Sequence, residues 1–238
     1  MRLIKITSKA ADTIVKQLDK MFMNELAVLP VLEIEECKES EIETKMEKAE
    51  YFTAILAPEH DVSFNAFKGF AKRHPGAGII LFDAHPDIEE DFNPGKKKYL
   101  RELIEQNIIS PEKIIIVGVR KWHANECQYL KANKIKHYTM RELSFEGLRE
   151  ISDSVMIVAR QWSALFLSID LDVLDPAFAP GTNKQEPGGM SSRELIFFIQ
   201  RLRMLKNLKA VLIACLNPEK DLNSITAKLA AKLVIELN

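Results

Sequence analysis

Short apolar runs alternate along the chain with longer stretches in which apolar residues recur at helical spacing. Most of the short runs are almost continuously apolar, which is typical of parallel strands covered on both faces. Six strands are predicted: Ala27–Glu33, Tyr51–Ala57, Gly78–Phe82, Lys113–Gly118, Leu165–Ile169 and Leu208–Ala214.

Helical stretches lie between these runs, and three of them follow a serine that can cap the first turn. The predicted helices are Phe64–Arg73 after Ser63, Arg193–Leu205 after Ser192, and Ile225–Leu237 after Ser224. The stretch Ser144–Trp162 is compatible with one long helix or with a helix followed by a strand. Alternating strands and helices predict a three-layer α/β/α sandwich with a mostly parallel sheet. No linker or internal repeat interrupts the pattern, so residues 1–238 are predicted to form a single domain.

Composition adds little beyond the class of protein. Hydrophobic residues make up 47% and charged residues 28% of the chain, as in ordinary soluble proteins. The net charge of −1 argues against a general nucleic-acid or membrane-surface binder. No apolar run approaches the ~18 residues of a spanning helix, and the first residues are too polar for a secretion signal. Cys37, Cys127 and Cys215 are scattered, without disulfide or C-x-x-C spacing, so a cytoplasmic location is expected.

The candidate chemistry lies directly after predicted strands. Ligands of open α/β sheets bind beyond the carboxyl ends of the strands, so side chains at these ends are expected to converge. Alternate residues of an extended segment also share one side. Six candidate metal ligands occupy three such positions: His60; Asp83, His85 and Asp87; and Asp170 and Asp172.

This ligand set suits a pair of fairly hard divalent cations, manganese in particular, rather than zinc held by thiolates or a lone calcium. Each residue also has a plain explanation. A single histidine after a strand is often structural, and an aspartate before proline, such as Asp175, often forms a turn. Six together are harder to dismiss, because clustered acids without a cation would repel one another.

At these residues the chain resembles the ureohydrolase family of arginases and agmatinases. The family patterns G-G-D-H, D-A-H-x-D, S-x-D-x-D-x-x-D-P-x-x-x-P-G-T and G-G-L-[ST]-x-R-E have clear counterparts here. They are A-P-E-H, D-A-H-P-D, S-I-D-L-D-V-L-D-P-A-F-A-P-G-T and G-G-M-S-S-R-E. The resemblance runs from about Ala54 to the end of the chain, and its tail is closest to agmatinases.

The resemblance implies a hydrolase with two Mn²⁺ ions that attacks the guanidinium carbon of a small molecule and releases urea. It also implies a homo-oligomer, either a trimer or a hexamer. Asp87 would additionally orient the attacking hydroxide. The implied ligands are Asp83 and Asp170 bridging both ions, His60 and Asp87 on one ion, and His85 and Asp172 on the other.

Three departures from the family concern the substrate pocket. Cys215 stands where family members have a glutamate that pairs with the guanidinium, and a thiol cannot replace that bidentate pair. The family's proton-shuttle histidine after D-A-H-x-D is missing from residues 88–99. His123 is a candidate replacement, although it is also compatible with an ordinary surface residue. Glu126, near the amino-acid end of arginase substrates, is retained, whereas Glu59 replaces the first-motif aspartate.

Three hypotheses remain open from the sequence. The first is an active ureohydrolase, supported by the complete ligand set. The second is a weak or inactive homologue with a binding or regulatory role, suggested by Cys215 and the missing histidine. The third is a metal-dependent hydrolase of a different C–N bond.

Overall fold

The computed structural model describes residues 1–90 and 93–237. Its centre is a sheet of eight parallel strands in the order β2-β1-β3-β10-β9-β4-β7-β8. The strands are β1 (Arg2–Ile6), β2 (Glu33–Cys37), β3 (Thr53–Leu56), β4 (Gly78–Phe82), β7 (Ile114–Val119), β8 (Lys136–Thr139), β9 (Leu165–Asp170) and β10 (Leu208–Ala214). Two short strands, β5 (Glu89–Glu90) and β6 (Asn93–Lys97), pair antiparallel outside this sheet.

Helices cover both faces of the sheet, which confirms the predicted three-layer α/β/α architecture. One face carries α1 (Lys9–Leu18), α6 (Met140–Glu146), α7 (Leu148–Ala159), α8 (Ser192–Leu202) and α9 (Ile225–Glu236). The other carries α2 (Ile42–Glu47), α3 (Asp61–Arg73), α4 (Tyr99–Glu105) and α5 (Ala124–Ala132). Within the described part of the chain, no helix combines the length and apolarity needed to cross a membrane.

Strand β4 illustrates why the central strands are apolar throughout. Ile80 and Phe82 pack into the apolar layer on one face of the sheet, and Ile79 and Leu81 pack into the layer on the other. Successive side chains of a strand point to opposite faces, so a strand covered on both faces needs apolar residues at every position. The strand ends are therefore the places where polar side chains are tolerated.

One predicted strand is wrong. Residues 27–32 are a loop, and the strand β2 begins at Glu33, in the polar stretch E-I-E-E-C. Pairing with a neighbouring strand determines where β2 forms, because β2 is an edge strand that, among the described strands of the sheet, hydrogen-bonds to β1 alone. An edge strand keeps one side towards solvent and accepts charged residues, whereas Pro30 cannot donate to a ladder.

The helix starts differ from the predicted caps. Helix α3 begins at Asp61, so Ser63 lies in its first turn, and α8 is capped by Ser191 rather than Ser192. Ser224 precedes α9 without a capping bond from its side chain; Asp221 accepts from the first backbone N–H groups instead. The ambiguous stretch forms two helices, separated at Gly147 with φ 95°.

Candidate metal centre

The sheet order brings the three groups of candidate ligands together. His60 follows β3, Asp170 ends β9, and Asp83 follows β4, at the carboxyl ends of three strands near the middle of the sheet. The chain turns immediately after each strand, so neither Asp83–Asp87 nor Asp170–Asp172 continues as an extended segment. The convergence therefore comes from neighbouring strand ends, rather than from alternation along one segment.

All six side chains are buried; five of them form two adjoining groups, and the sixth, Asp170, lies beside His60. His85 Nδ1 lies 3.3 Å from an oxygen of Asp83 and 3.1 Å from an oxygen of Asp172. His60 Nε2 lies 3.3 Å from Asp170 Oδ2 and 3.9 Å from Asp83 Oδ2. Each group offers ligand atoms within 4.8 Å of one another: His60, Asp83 and Asp87 in one, and Asp83, His85 and Asp172 in the other.

Hydrogen bonds behind these side chains fix their orientation. His60 Nδ1 lies 2.9 Å from Ser63 Oγ, and the His60 ring stacks on Tyr99 with centroids 5.5 Å apart, which leaves Nε2 directed at the acids. Asp170 Oδ1 accepts from the backbone of Asp172 at 2.8 Å. Asp172 Oδ1 accepts from the backbone of Ala84 at 3.1 Å, which connects the loops after β9 and β4. Such outer contacts hold metal ligands in place in known metal sites.

The acids perturb one another strongly. Burial is the main cause that raises the pKa values of Asp83 and Asp170 well above the usual range, and repulsion from Asp172 is the next. Asp87 also repels Asp83, and Asp83 also repels Asp170. Burial opposes a charge on His85, but Asp172 and Asp83 outweigh it and raise its pKa to about 11. This is the electrostatic strain that divalent cations relieve, since a positive charge at the centre favours every ionised carboxylate.

Several buried polar atoms have no hydrogen-bond partner in the described part of the chain. They include His60 Nε2, Asp83 Oδ2 and Asp87 Oδ2, which are ligand atoms of one of the two groups. A buried polar group without a partner costs about 1–3 kcal/mol. Because these atoms converge and are all good ligands for divalent cations, the residues fit a metal centre.

Asp87 also has a cationic neighbour that the sequence analysis did not identify. Lys98 Nζ, immediately before α4, forms an ion pair with Asp87 Oδ1. Burial alone would raise the pKa of Asp87, but Lys98 and His60 outweigh it and lower the pKa. Asp87 has a positive φ of 55°, a conformation that aspartate tolerates better than most residues. The stretch after D-A-H-P-D thus ends in a lysine, Lys98, that contacts the candidate ligand Asp87. Asp91 and Phe92, within this stretch, lie outside the described residues.

Arg120, in the motif V-G-V-R, holds the loops around the centre together. Its guanidinium donates to the backbone carbonyls of Asp172 at 2.7 Å, Val173 at 3.1 Å and Leu174 at 3.2 Å. It also donates to Glu186 O at 2.7 Å, just before the Gly-Gly pair. Gly189 packs against the same loop, since a Cβ there would lie 2.5 Å from the backbone nitrogen of Asp175 and 2.6 Å from Arg120 Nη2.

Cys215, predicted at the position of the family glutamate, lies beside the centre. Its Sγ, His60 and Asp170 form a third group whose ligand atoms lie within 4.8 Å of one another. Burial, followed by Asp170 and Asp172, raises the pKa of the thiol. Glu59 Oε2 lies 3.7 Å from Cys215 Sγ, and Glu59 Oε1 accepts from Asn183 Nδ2 at 3.2 Å. The exposed carboxylate of Glu59 therefore lies next to Cys215, the position at which the family pattern has a glutamate.

The remaining predicted residues lie at the start of α5. Glu126 is buried, and its carboxylate accepts from the backbone of Ile88 at 3.3 Å, Glu89 at 3.2 Å and His123 at 3.0 Å. These contacts fix the loop after Asp87, a positioning task that leaves little of the carboxylate for a substrate. His123 is exposed and directly precedes the helix.

Comparison with known proteins is consistent with this arrangement. A model of the arginase family matches residues 7–238, which is nearly the entire chain. The chain belongs to the arginase family. Members of this family generally bind a dinuclear metal centre, and the candidate ligand groups of this chain fit one.

Relatives within the arginase family carry different names. An arginase from Staphylococcus aureus is 30% identical over 199 residues, covering 77% of this chain and 66% of that protein. A formimidoylglutamase from Halalkalibacterium halodurans is 33% identical over 187 residues, covering 76% of this chain and 58% of that protein. The matched part thus spans less than two thirds of either relative, 66% of the arginase and 58% of the formimidoylglutamase. The solved formimidoylglutamase from Bacillus subtilis superposes with a TM-score of 0.91 at 23% identity, covering 99% and 85% of the two chains, which shows a shared fold.

Proposed function

We propose that this arginase-family protein is a metal-dependent hydrolase that cleaves a guanidino C–N bond of a small molecule and releases urea. The observation that carries the proposal is the convergence of His60, Asp83 and Asp87 with unpartnered buried ligand atoms, next to the group of Asp83, His85 and Asp172. The proposed cofactors are two divalent cations, Mn²⁺ by resemblance, which His60, Asp83, His85, Asp87, Asp170 and Asp172 would hold.

When bound, such a pair would lower the pKa of water, supply a nucleophile at neutral pH and polarise the substrate carbon. The chain itself contributes position and charge. Asp87 is held ionised by Lys98, so its carboxylate can accept a hydrogen bond from the attacking water and orient it. His123 is the proposed proton donor to the leaving amine, from the exposed start of α5.

Substrate binding differs from that implied by the family pattern. Cys215 cannot form the bidentate pair with a guanidinium, and loss of such a partner should cost about 2–5 kcal/mol. We propose that the neighbouring Glu59 carboxylate, exposed and 3.7 Å from the sulfur, supplies the missing charge. Cys215 would then line the pocket, and Glu126 would contribute mainly by fixing the loop after Asp87.

A second candidate is hydrolysis of a formimidoyl C–N bond. Its support is the missing carboxylate at Cys215, together with similarity to a formimidoylglutamase. A formimidoyl group presents fewer N–H donors than a guanidinium, so the thiol is less costly there. The proposal further includes a single domain over residues 1–238, a cytoplasmic location and a homo-oligomer, whose size light scattering would measure.

The test is a product assay on Mn²⁺-loaded protein. Agmatine, arginine, guanidinobutyrate, guanidinopropionate and a formimidoyl amino acid are assayed for urea, formamide and ammonia. Urea from a guanidino compound, abolished by Asp170→Asn, is the expected result. Formamide alone would establish the second candidate instead. No product from the wild type, with urea released by Cys215→Glu, would show intact chemistry directed at another substrate. No product from either protein would contradict the proposed activity and favour a binding or regulatory role.

A further inference from the structure

The position of β10 places Cys215 between two strands that carry candidate metal ligands. β10 pairs with β3 on one side and with β9 on the other, and Ala214 is in register with Asp170. His60 follows the end of β3. The residue after β10 is therefore placed between His60 and Asp170 by the sheet itself.

The side chains meet as the register requires. One ligand atom each from His60, Asp170 and Cys215 lies within 4.8 Å of the other two, and His60 Nε2 is 3.3 Å from Asp170 Oδ2. A nearby cysteine would mean little by itself. Here, however, His60 is only 8% exposed, and its Nε2, directed into this group, has no hydrogen-bond partner in the described residues. A buried nitrogen of this kind is a free ligand atom.

The backbone holds the sulfur in place at some cost. Cys215 adopts a left-handed φ of 71°, a conformation that non-glycine residues rarely adopt, and its N–H donates to Pro58 O at 3.2 Å. Such a conformation persists where the surrounding structure enforces it, as it often does at functional sites. The hydrogen bond to Pro58 ties Cys215 to the loop that carries His60.

We propose that Cys215 Sγ is a direct ligand of the cation bound by His60 and Asp170. This inference rests on the proposed metal centre, and it adds to the six family ligands one that this chain supplies. Binding breaks the S–H bond, the sulfur electron pair bonds to the cation, and the proton leaves to solvent. No oxidant or reductant takes part.

The consequence is a difference between the two cation positions. Thiolates favour Zn²⁺, Co²⁺ and Fe²⁺ over Mn²⁺, whereas carboxylates and water suit Mn²⁺. The position next to Cys215 should therefore take a thiophilic cation. The position formed by Asp83, His85 and Asp172 keeps oxygen and imidazole ligands and should still accept Mn²⁺.

The test uses the whole protein, stripped with a chelator and reloaded with Co²⁺. Cobalt reports its ligands by absorption, because a thiolate ligand adds a near-ultraviolet charge-transfer band to the visible d–d bands. The variant is Cys215→Ser, and Cys127→Ser is the matched control, since Cys127 lies on α5 and belongs to none of the candidate groups among the described residues. Bound metal is counted by mass spectrometry, and circular dichroism checks the fold.

We expect the charge-transfer band in the wild type and in Cys127→Ser, and its loss in Cys215→Ser with the d–d bands retained. Cys215→Ser should also weaken Zn²⁺ binding by at least the ~10–100-fold that follows loss of an outer contact, while Mn²⁺ binding changes far less. Cobalt bound to the wild type without a charge-transfer band would overturn the inference and leave the metal centre standing. A band that persists in Cys215→Ser would also overturn it. Failure of folded wild type to bind cobalt would overturn both proposals.

Discussion

At the scale of single residues, this member of the arginase family differs from the family pattern in two side chains that touch each other. By the resemblance, Cys215 stands where family members have a glutamate, and Glu59 stands where they have an aspartate, one residue before the candidate ligand His60. Their side chains approach to 3.7 Å. The missing carboxylate at Cys215, after β10, is thus accompanied by the longer carboxylate of Glu59, after the neighbouring strand β3. We therefore interpret the two changes as a single rearrangement.

The rearrangement predicts that Glu59 determines affinity for cationic substrates. Glu59→Gln should raise KM for a guanidino substrate roughly tenfold, equivalent to about 1.4 kcal/mol, because a hydrogen bond to a charged group contributes about that much. Since Glu59 is not a candidate ligand, kcat should change little. Steady-state kinetics on the best substrate from the product assay measures both constants.

The matched control is Glu50→Gln, which removes the same charge from an exposed glutamate before β3, at the opposite end of the strand from Glu59. It should leave KM unchanged. An equal KM for Glu59→Gln and wild type would show that the carboxylate does not bind the substrate.

At the scale of elements, the loops after β4 and β9 depend on a glycine at the end of β7. Gly118 has φ 103°, and a Cβ on it would lie 2.5 Å from Val173 Cγ2 and 3.2 Å from Asp83 O. One residue therefore limits how closely the two ligand-bearing loops can approach. Gly188 has a similar φ of 80° but no atom within 4 Å of the added Cβ.

These two glycines give a comparison of backbone strain with crowding. Both alanine variants should lose about 1–2 kcal/mol from the left-handed conformation. Gly118→Ala should lose about 1–3 kcal/mol more through overpacking, and it should weaken metal binding because Asp83 is displaced. Denaturant unfolding and metal titration of both variants make the measurement. Equal destabilisation by the two substitutions would argue against the proposed crowding at Gly118.

The elements also show how far the sequence predicts this structure. Gly78–Phe82 and Leu208–Ala214 were predicted with their observed limits, because buried parallel strands are almost continuously apolar; Lys209 is the one charged residue in these two strands. Edge strands carry no such pattern: β8 reads K-H-Y-T, and β2 was misplaced into the apolar loop before it. Their positions depend on pairing with a neighbour, which local composition does not encode.

The candidate site likewise has a part that the sequence predicts and a part that it does not. All six predicted ligands stand at strand ends, where a short motif and the sheet topology together place them. The contacts of Lys98 with Asp87 and of Glu59 with Cys215 join loops that are distant along the chain. Ser63 was predicted to cap α3 but instead contacts His60, because the helix begins at Asp61, three residues before the predicted start. Such contacts depend on loop conformation, for which no periodic pattern exists.

At the scale of the whole molecule, the acid cluster should make stability depend on pH and on metal together. Burial and neighbouring acids raise the pKa values of Asp83 and Asp170, so the folded chain binds these protons more tightly than the unfolded chain does. Their contribution to stability is therefore present below about pH 4, the ordinary aspartate value, and is lost as pH rises through the raised values. The pKa of His85 is also raised, from ~6.5 in the unfolded chain to about 11 in the folded chain, so its contribution to stability is likewise lost as pH rises.

In a chelator, we accordingly expect Tm to fall as pH rises from 5 to 9. Asp87 and Asp172, whose pKa values are lowered, act in the opposite sense but lose their contribution only below about pH 4. Divalent cations replace the protons, so Mn²⁺ should stabilise the fold more at pH 9 than at pH 5. Binding at one site contributes about 2.7 kcal/mol where Mn²⁺ is at a hundred times its Kd for that pH. Thermal unfolding with EDTA and with Mn²⁺ across this range is the measurement. Parallel pH profiles under both conditions would count against a metal centre at these residues.

The central position of β10 has a consequence for how the protein is made. This strand lies between β3 and β9 in the sheet, yet it is synthesised after the other seven strands of that sheet. Until it leaves the ribosome, the apolar edges of β3 and β9 have no partner between them, and His60 and Asp170 are not yet fixed relative to each other. The native sheet can therefore close only after β10 has emerged, and it depends on long-range pairing that is slow and prone to aggregation.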